Sequence, residues 1–440
     1  MEIACKNNSI ELKEITKIKN KIIFNYTTSG EICQYFSDKP FWIEYPENIE
    51  SVPDSILAVP FVCNVLPIVW LTDSTLVISE LDEAFFNCLP DVKKGYETMY
   101  PETEWKGNIE VGKIVPCDRE AEQGKCAMFY SGGVDSVQTL ISHLDEKPTL
   151  ISIWGSDVKV DNTEGWNVLF KAISEASERF QLPTATIRST FREFDNEGLL
   201  DRDFHEKLLD GWWHGVKHGI ALLGHVAPLA YLYGLSNMYI ASSNFPELGA
   251  VRCASDPIID NSVRFCNCQV YHDGYEYTRQ DKIRNIVNYN NGNKPIVLHV
   301  CWETQTGHNC CKCEKCYRTI CGLLIQNADP KKYGFYEYES TIADMHSSVL
   351  NGGRISPLIA QSEWMPMKKA AKKNLTELKK NKYYSSIKWI LTTDFEHPET
   401  IRLPLSLRLK QAKGIRGKLA EFKFYQQLHR VKESLVKRNK

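Results

Sequence analysis

The stretch Ala127-Met128-Phe129-Tyr130-Ser131-Gly132-Gly133-Val134-Asp135-Ser136 decides the fold of this 440-residue chain. Its four apolar residues predict a buried strand, and the apolar residues that follow Ser136 predict a helix. The two glycines let the backbone come close to a ligand, and free N–H groups at a helix N-terminus point at an anion. The hydroxyls of Ser131 and Ser136 add hydrogen-bond donors. The stretch therefore predicts a strand, a phosphate-binding turn and a helix, and a nucleotide as the ligand.

Two common nucleotide-binding motifs are absent from this stretch. It has neither the G-x-x-x-x-G-K-[ST] pattern of a Walker loop nor the G-x-G-x-x-G pattern of dinucleotide-binding proteins. The alternative interpretation is a Gly-Gly turn that only connects the strand to the helix.

Strands and helices alternate from about residue 125 onwards. Further strands are predicted at Thr149–Trp154, Thr184–Ile187 and Met238–Ala241, and helices at 164–180 and about 211–234. This alternation predicts an α/β fold, with a Rossmann-like, doubly wound parallel sheet covered on both faces. Ligands of such sheets bind beyond the carboxyl ends of the strands, where the Ser131–Ser136 turn would lie.

The regions on either side differ from this central part. Residues 1 to about 120 contain short β-type runs at Lys21–Tyr26, Phe61–Val65 and Thr75–Ile78. They predict a β-rich or mixed N-terminal domain of unknown role. The predicted domains are 1–120, a nucleotide-binding domain at 121–345, and a basic, largely helical region at 346–440.

Charge is distributed unevenly along the chain. The whole chain has a formal net charge of -2, whereas Lys368–Lys440 holds 20 Lys and Arg against 6 Asp and Glu. This basic region, in which Leu428, Val431 and Leu435 have helical spacing, predicts contact with nucleic acid or an anionic membrane surface. The sequence has no apolar stretch of membrane-spanning length and no N-terminal targeting signal, which favours the cytoplasm. A homodimer is a further possibility.

Six of the fifteen cysteines lie between Cys301 and Cys321, which favours a metal site in a reducing compartment. The pattern C-x8-C-x2-C-x2-C can close four thiolates on one tetrahedral zinc ion, as a structural site. An iron–sulfur cluster and free cysteines are the alternatives. The motif follows a strand-like run, Ile296–Val300, and precedes a predicted helix at 316–326. The four predicted ligands are Cys301, Cys310, Cys313 and Cys316, whereas Cys311 and Cys321 lie outside the spacing.

The motif S-G-G-x-D-S resembles the PP-loop of the ATP pyrophosphatases, which cleave ATP between its α- and β-phosphates. With the four cysteines about 165 residues further on, the chain resembles 7-cyano-7-deazaguanine synthase over about residues 125–325. The resemblance implies ATP, Mg²⁺ and Zn²⁺ as cofactors. It implies that Lys282, in the segment Thr278–Ile283, neutralises phosphate charge; a solvated helix residue is the alternative. The residues implied to bind ATP are Ser131, Gly132, Gly133, Val134, Asp135, Ser136, Trp154 and Gly155, with Asp135 and Lys282 as the catalytic pair.

The segments predicted to contact the substrate differ in sequence from the corresponding segment of that family. A Tyr-Pro-Asp-Cys-Arg-type segment is replaced here by Ser242–Glu247 and Arg252–Pro257, which predicts a different substrate. Ser243, Asn244 and Asp256 are candidate substrate contacts, with turn formation or helix capping as the alternatives. Asp256 and Asp260 are also candidates for holding Mg²⁺ or a substrate amine. His214 and His218, four residues apart, face either a pocket or the sheet.

These observations predict an ATP-dependent ligase or amidotransferase-like enzyme acting on a small molecule. A carboxylate or amide oxygen of the substrate would attack the α-phosphorus, and pyrophosphate would leave. One alternative is a tRNA- or RNA-modifying enzyme, in which Cys253 is the nearest candidate for sulfur transfer. The other is a noncatalytic nucleotide-binding interaction protein.

Overall fold

The structure is a computed structural model that describes residues 8–246, 252–301, 303–304, 306–351 and 355–397, except the side chains of residues 350, 351 and 357. The basic region beyond residue 397, including Leu428, Val431 and Leu435, lies outside the described residues. The chain forms two compact units. The first comprises Met1–Cys310 and Ala328–Phe335, and the second comprises Cys311–Asn327 and Tyr336–Lys440.

The first unit contains one mixed, mostly parallel sheet that combines both predicted sets of strands. Its strands are β1 (Ser9–Ile18), β2 (Lys21–Ser29), β3 (Phe41–Glu44), β4 (Thr75–Asp82), β5 (Asn108–Val115), β6 (Cys126–Phe129), β7 (Thr149–Trp154), β8 (Thr184–Ser189), β9 (Asn237–Ala241), β10 (Arg264–Phe265) and β11 (Cys268–Asp273). Their order is β10-β11-β9-β6-β7-β8-β3-β2-β1-β4-β5. The N-terminal strands join the others where Ile43 of β3 pairs antiparallel with Ser189 of β8. The predicted domain limits near residues 120 and 345 stay predictions.

The parallel half of the sheet has the strand order of a doubly wound fold. Numbered along the chain, β8, β7, β6, β9 and β11 form the spatial order 3-2-1-4-5, and all four neighbouring pairs are parallel. The chain therefore leaves β6 and β9 in opposite directions, which opens a crevice between their carboxyl ends. This α/β architecture is compatible with the predicted Rossmann-like fold, and the crevice is where such a fold binds its ligand.

Both units contain helices among the described residues. Those of the first unit are α1 (Asp54–Leu57), α2 (Val59–Leu71), α3 (Glu83–Met99), α4 (Val134–Ser142), α5 (Thr163–Phe180), α6 (Glu197–Leu208), α7 (His218–Gly224), α8 (Ala227–Tyr233), α9 (Pro257–Asp260) and α10 (Arg279–Asn290). Those of the second unit are α11 (Glu314–Ile325), α12 (Tyr338–Thr341), α13 (Pro357–Ile359), α14 (Met365–Lys373), α15 (Leu375–Leu378), α16 (Tyr384–Ile387) and α17 (Trp389–Thr392). Short 3-10 and π-helical turns connect several of them. Among the described residues, no helix is both long and apolar enough to cross a membrane.

Three predicted elements differ from the structure. Phe61–Val65 was predicted as a β-type run but lies inside helix α2, which is buried over almost its whole length because it packs on every side. The helix predicted at about 211–234 is divided into a π-helical turn (Trp213–Lys217), α7 and α8. Ile296–Val300 is extended without joining the sheet: Leu298 N donates to Tyr333 O at 3.0 Å, and His299 N donates to Gly132 O at 2.8 Å.

The second unit is a set of helices with a polar contact in its core. Trp364 Nε1 donates to Glu314 Oε1 at 2.8 Å, and Arg318 pairs with Glu363 at 2.7 Å. Trp364 also packs against the ring of Trp389, at 5.2 Å between centroids. The buried ends of α11 and α14 are thus held by both apolar and charged contacts.

Candidate functional site

The Ser131–Ser136 loop connects β6 to α4 at the carboxyl edge of the sheet, as predicted. Gly132 has φ +72, in the left-handed region that favours glycine, and Gly133 is the N-cap of α4. The two serine hydroxyl oxygens lie 3.4 Å apart, and Ser136 Oγ donates to Gly133 O at 3.2 Å. The loop therefore brings two hydroxyl groups and the N-terminus of a nine-residue helix to one point, an arrangement suited to an anion.

Asp135 lies against two buried cations. One carboxylate oxygen is 3.1 Å from Lys282 Nζ, and the other is 3.2 Å from Arg279 Nη1. Lys282 is only 1% exposed, which contradicts the alternative of a solvated helix residue. Lys282 Nζ also donates to the carbonyl oxygen of Ser242. The side chains of Asp135 and Lys282, both predicted as catalytic, therefore contact each other, and Arg279 joins them.

A capping box at the start of α10 positions both cations. The hydroxyl of Thr278 accepts a hydrogen bond from Asp281 N at 3.2 Å, and Asp281 Oδ2 accepts one from Thr278 N at 3.2 Å. This reciprocal pair fixes the first turn of the helix. Arg279 and Lys282 lie three residues apart on that turn, so both side chains project from one face towards α4.

The backbone that follows β9 is hydrogen-bonded to the same group of residues around α4 and α10. Ser242 N donates to Asp273 O at 2.8 Å, which joins the ends of β9 and β11. The carboxylate of Asp273 accepts a hydrogen bond from Thr139 Oγ1 at 2.7 Å and lies 3.0 Å from His143 Nε2. Both Thr139 and His143 follow the loop on or beside α4, so this network ties the helix to the two strand ends.

His143 and Asp273 influence each other's charge. Burial disfavours the charged imidazole, but hydrogen bonds to Asp273 and Glu146 raise the pKa of His143 above its ordinary value. Burial likewise opposes the charged carboxylate, yet the contacts with His143 and Thr139 lower the pKa of Asp273. The pair is therefore an ion pair at mildly acidic pH.

Trp154 and Gly155 lie at the carboxyl end of β7, the neighbour of β6. The Trp154 ring stacks on Trp166 with centroids 5.3 Å apart, and the Arg188 guanidinium lies 4.2 Å from the ring centroid. Gly155 has φ +117, and a Cβ there would lie 1.9 Å from Ser189 O. Only glycine therefore fits this turn at the carboxyl edge of the sheet.

The predicted substrate residues take part in local hydrogen bonds. Ser242 Oγ donates to Asn244 O at 2.9 Å, and Asn244 N donates to Ser242 Oγ at 3.2 Å, which makes a tight turn after β9. Ser243 is exposed in that turn. Asp256 caps α9 by accepting a hydrogen bond from Ile258 N at 3.0 Å. Substrate contact by Ser243, Asn244 and Asp256 stays a prediction.

The four predicted ligand cysteines come together. The sulfur atoms of Cys301, Cys310, Cys313 and Cys316 all lie within 4.8 Å of one another. Sulfur atoms around a tetrahedral zinc ion with Zn–S bonds of about 2.3 Å are separated by about 3.8 Å, so the group is compatible with zinc. Among the described residues, no further group of three or more histidine, cysteine or acidic side chains converges in this way.

The two remaining cysteines of this region have other contacts. Cys321 is fully buried in α11, with its sulfur 3.0 Å from the sulfur of Met345. Cys311 has φ +54, and its carbonyl accepts a hydrogen bond from Thr341 Oγ1 at 2.8 Å. Neither belongs to the four-sulfur group, as the spacing predicted.

Sequence reasoning missed several residues of the crevice. Arg279 had a visible signal, because Thr278 and Asp281 form a capping box that places it at the first position of a helix. His299 packs on the loop, where a Cβ at Gly132 would lie 3.2 Å from its ring. Nothing in the sequence indicated this contact, since it joins segments more than 160 residues apart.

Comparison of the chain with protein-family models, curated proteins and solved structures gave no match.

Proposed function

We propose that the protein is an ATP-dependent ligase of the PP-loop type, which adenylates a carboxylate or amide of a small molecule and releases pyrophosphate. The observation that carries the proposal is the meeting of Asp135 with Lys282 and Arg279 beside the Ser131–Ser136 loop. An arriving polyphosphate would compete with the Asp135 carboxylate for both cations. The chain would then hold ATP by loop N–H groups, two hydroxyls and two positive side chains.

The crevice suits the proposed reaction because it can neutralise charge where charge develops. Pyrophosphate leaves with additional negative charge, and preorganised donors stabilise such a leaving group without reorganisation. Lys282 is well suited to this role, since burial and its contacts with Asp135 and Ser242 fix the position of its ammonium group. Mg²⁺ would supply further charge neutralisation when bound with ATP.

The four cysteines support zinc as a structural partner of this site. An all-sulfur set of four leaves no open coordination position for a substrate, so the ion would hold the chain and take no part in adenylation. Asn309 supports the first cysteine, because its side chain accepts from Val300 N at 3.0 Å and donates to Leu298 O at 2.7 Å.

The test is pyrophosphate release and ATP–pyrophosphate exchange with Mg²⁺, screened over carboxylates and 7-deazapurines. With a substrate that supports exchange, we expect Lys282→Met to lower the rate by at least about a hundredfold, the loss typical of removing one such charged donor. Asp135→Asn should lower the rate as well, because the Asp135 carboxylate holds the side chains of Lys282 and Arg279 in place. The control is Lys294→Met, because Lys294 is an exposed lysine just beyond α10.

Two results would contradict the proposal. One is the absence of ATP binding and of pyrophosphate release by the wild-type protein over the whole panel. The other is full exchange activity in both site variants, since the charges that carry the argument would then be dispensable.

A further inference from the structure

The extended segment that leads to the first ligand cysteine passes beside the Ser131–Ser136 loop. It comprises residues 296–301, and we call it the linking segment. His299 N donates to Gly132 O at 2.8 Å. A Cβ at Gly132 would lie 3.2 Å from the His299 ring, and a Cβ at Gly133 would lie 3.6 Å from His299 O. The backbone and the ring of His299 therefore both lie against the two glycines of the loop.

The hydrogen bond to Gly132 O sets the direction of the next N–H group. In a planar trans peptide the C=O and N–H bonds point in opposite directions. Because the oxygen of Gly132 is turned to His299, the N–H of Gly133 points away from the linking segment, and Ser131 Oγ lies 3.4 Å from that nitrogen. The oxygen of the second hydroxyl, Ser136 Oγ, lies 3.4 Å from Ser131 Oγ. The N–H group is thus aimed at the two hydroxyls that bind phosphate under the proposed function.

A rotated Gly132 peptide would have the opposite effect. Its carbonyl oxygen would face the two hydroxyls, and a partial negative charge would replace a donor where an anion is to bind. Glycine permits such a rotation because it has no Cβ and populates both signs of φ, and Gly132 itself has φ +72. An external contact is therefore needed to keep the Gly133 N–H in place, and His299 N supplies one.

The side chain of His299 is held by a residue that lies between the first two ligand cysteines. His299 Nδ1 lies 3.2 Å from Gly307 O, and Nδ1 is the donor because a carbonyl oxygen only accepts. Gly307 has φ +74, and a Cβ there would lie 2.8 Å from the Cβ of Val168 in α5. Gly307 therefore packs closely on α5, which fixes the carbonyl that holds the imidazole.

Asn309 fixes the backbone on either side of His299. Val300 N donates to Asn309 Oδ1 at 3.0 Å, and Asn309 Nδ2 donates to Leu298 O at 2.7 Å. Val300 and Asn309 each directly precede a ligand cysteine. A metal ion bound by those two cysteines would close the chain between them and lower the entropy that these contacts must overcome.

We propose that His299 is a positioning residue that makes ATP binding depend on the metal ion. The identity of the ligand rests on the proposed function, whereas the link between metal and loop does not. Cys301 and Cys310 are held together by the ion, and the chain between them holds the imidazole of His299. His299 N in turn holds the Gly132 peptide. The coupling is reciprocal, because a nucleotide that requires this orientation of the peptide also favours the metal-bound form.

The first experiment needs neither ATP nor substrate. Amide hydrogen exchange of the full-length protein is followed by mass spectrometry in zinc-loaded wild type, in wild type after removal of zinc by a chelator, and in zinc-loaded His299→Ala. The amides of residues 298–300 all donate hydrogen bonds in the linking segment. After correction for intrinsic rates, we expect them to exchange at least about fivefold faster in the last two samples.

Helix α2 is the internal control of this experiment, because it packs against α7 and β4. Its exchange should be the same in all three samples. Unchanged exchange at residues 298–300 in His299→Ala, or after confirmed loss of zinc, overturns the link. If zinc removal accelerates exchange in α2 as well, the protein has unfolded, and zinc-loaded His299→Ala decides alone because it keeps all four ligand cysteines.

The second experiment measures the binding of ATP with Mg²⁺ by titration calorimetry. We expect the dissociation constant to rise at least about tenfold in zinc-loaded His299→Ala, the effect of losing one charge-assisted hydrogen bond to phosphate. His299→Asn should restore most of the affinity, since an asparagine amide can also donate to Gly307 O. The matched control is His205→Ala, because His205 Nδ1 likewise lies 3.1 Å from a backbone oxygen, that of Asp210.

Metal removal and the substitution should not have additive effects, because both act through the same contact. Removal of zinc should weaken ATP binding by wild type about as much as His299→Ala does, and should weaken binding by the variant less than about twofold further. Full additivity, or unchanged affinity in zinc-loaded His299→Ala, overturns the inference and leaves the proposed function intact. Absence of ATP binding by wild type contradicts the proposed function, and the hydrogen-exchange experiment then decides the link by itself.

Discussion

Replacing Cys313 with serine is expected to remove the metal ion while keeping the helix that follows. Cys313 is a member of the four-sulfur group and also the N-cap of α11, where its sulfur accepts a hydrogen bond from Cys316 N at 3.4 Å. A serine hydroxyl is a favoured N-cap but a poor ligand for a soft-metal site. Cys313→Ser therefore isolates the loss of the metal from the loss of the cap.

The size of each effect follows from these two roles. A metal present at about a thousand times its dissociation constant stabilises the folded state by about 4 kcal/mol. Loss of an N-cap costs about 1 kcal/mol. We therefore expect Cys313→Ser to lose the full metal contribution, and Cys313→Ala to lose about 1 kcal/mol more.

The assay combines metal analysis with thermal unfolding in the presence and absence of a chelator. The wild-type protein should contain about one zinc ion per chain, and both Cys313 variants much less. Cys321→Ser is the matched control, because Cys321 lies in the same helix but outside the four-sulfur group. Full zinc retention in Cys313→Ser, or chelator-insensitive unfolding of the wild-type protein, would refute the assignment.

Two further predictions concern residues that support the site from the neighbouring strand and helix. Gly155→Ala should lower the free energy of urea unfolding by about 1–3 kcal/mol more than Gly124→Ala does. Both glycines have positive φ, but only at Gly155 would the added Cβ clash, with Ser189 O. An equal loss of stability in the two variants would contradict the close contact. His143→Gln should lower stability most between about pH 4 and pH 6.5. Towards higher pH the raised pKa of His143 is passed, and towards lower pH the lowered pKa of Asp273 is passed, so the ion-pair contribution fades at both ends. A stability difference that does not vary with pH would contradict the ion pair.

Strands with strong local signals could be predicted closely from the sequence. Thr149–Trp154 is a strand with the predicted limits, and the predicted helix at 164–180 begins one residue earlier as α5. Both elements have uninterrupted apolar or amphipathic patterns and clear flanking turn or capping residues. The secondary structure that the residues of each element favour locally agrees with the packing of that element in the fold. The residues of the element itself were therefore enough to predict it.

Elements whose role depends on distant partners were predicted wrongly. The apolar run Phe61–Val65 fits a buried strand or a buried helix equally well, and only the length of the surrounding apolar segment favours α2. Ile296–Val300 has the composition of a strand, but its hydrogen bonds go to Tyr333, Gly132 and Asn309. No local pattern reports which partner an extended segment will find.

The same distinction applies to the site residues. Asp135 belongs to the Ser131–Ser136 motif, and the four ligand cysteines form a separate motif. The spacing within each motif therefore predicted which residues come together. The contact of Arg279 with Asp135 was not predicted, because 144 residues separate them in the sequence.

The strand order explains why the two halves of the crevice differ in character. The chain leaves β6 through the Ser131–Ser136 loop and leaves β9 in the opposite direction, so residues 242–246, which follow β9 directly, lie on the other side of the crevice. The sequence departs from the pattern of 7-cyano-7-deazaguanine synthases at the same place, from Ser242 onwards. Under the proposed function, charge neutralisation by Lys282 and Arg279 does not depend on which substrate is activated, whereas the residues that follow β9 would contact that substrate. Lys282→Met should therefore lower ATP–pyrophosphate exchange with every substrate that supports it, whereas substitutions of Ser243 or Asn244 should change which substrates support exchange.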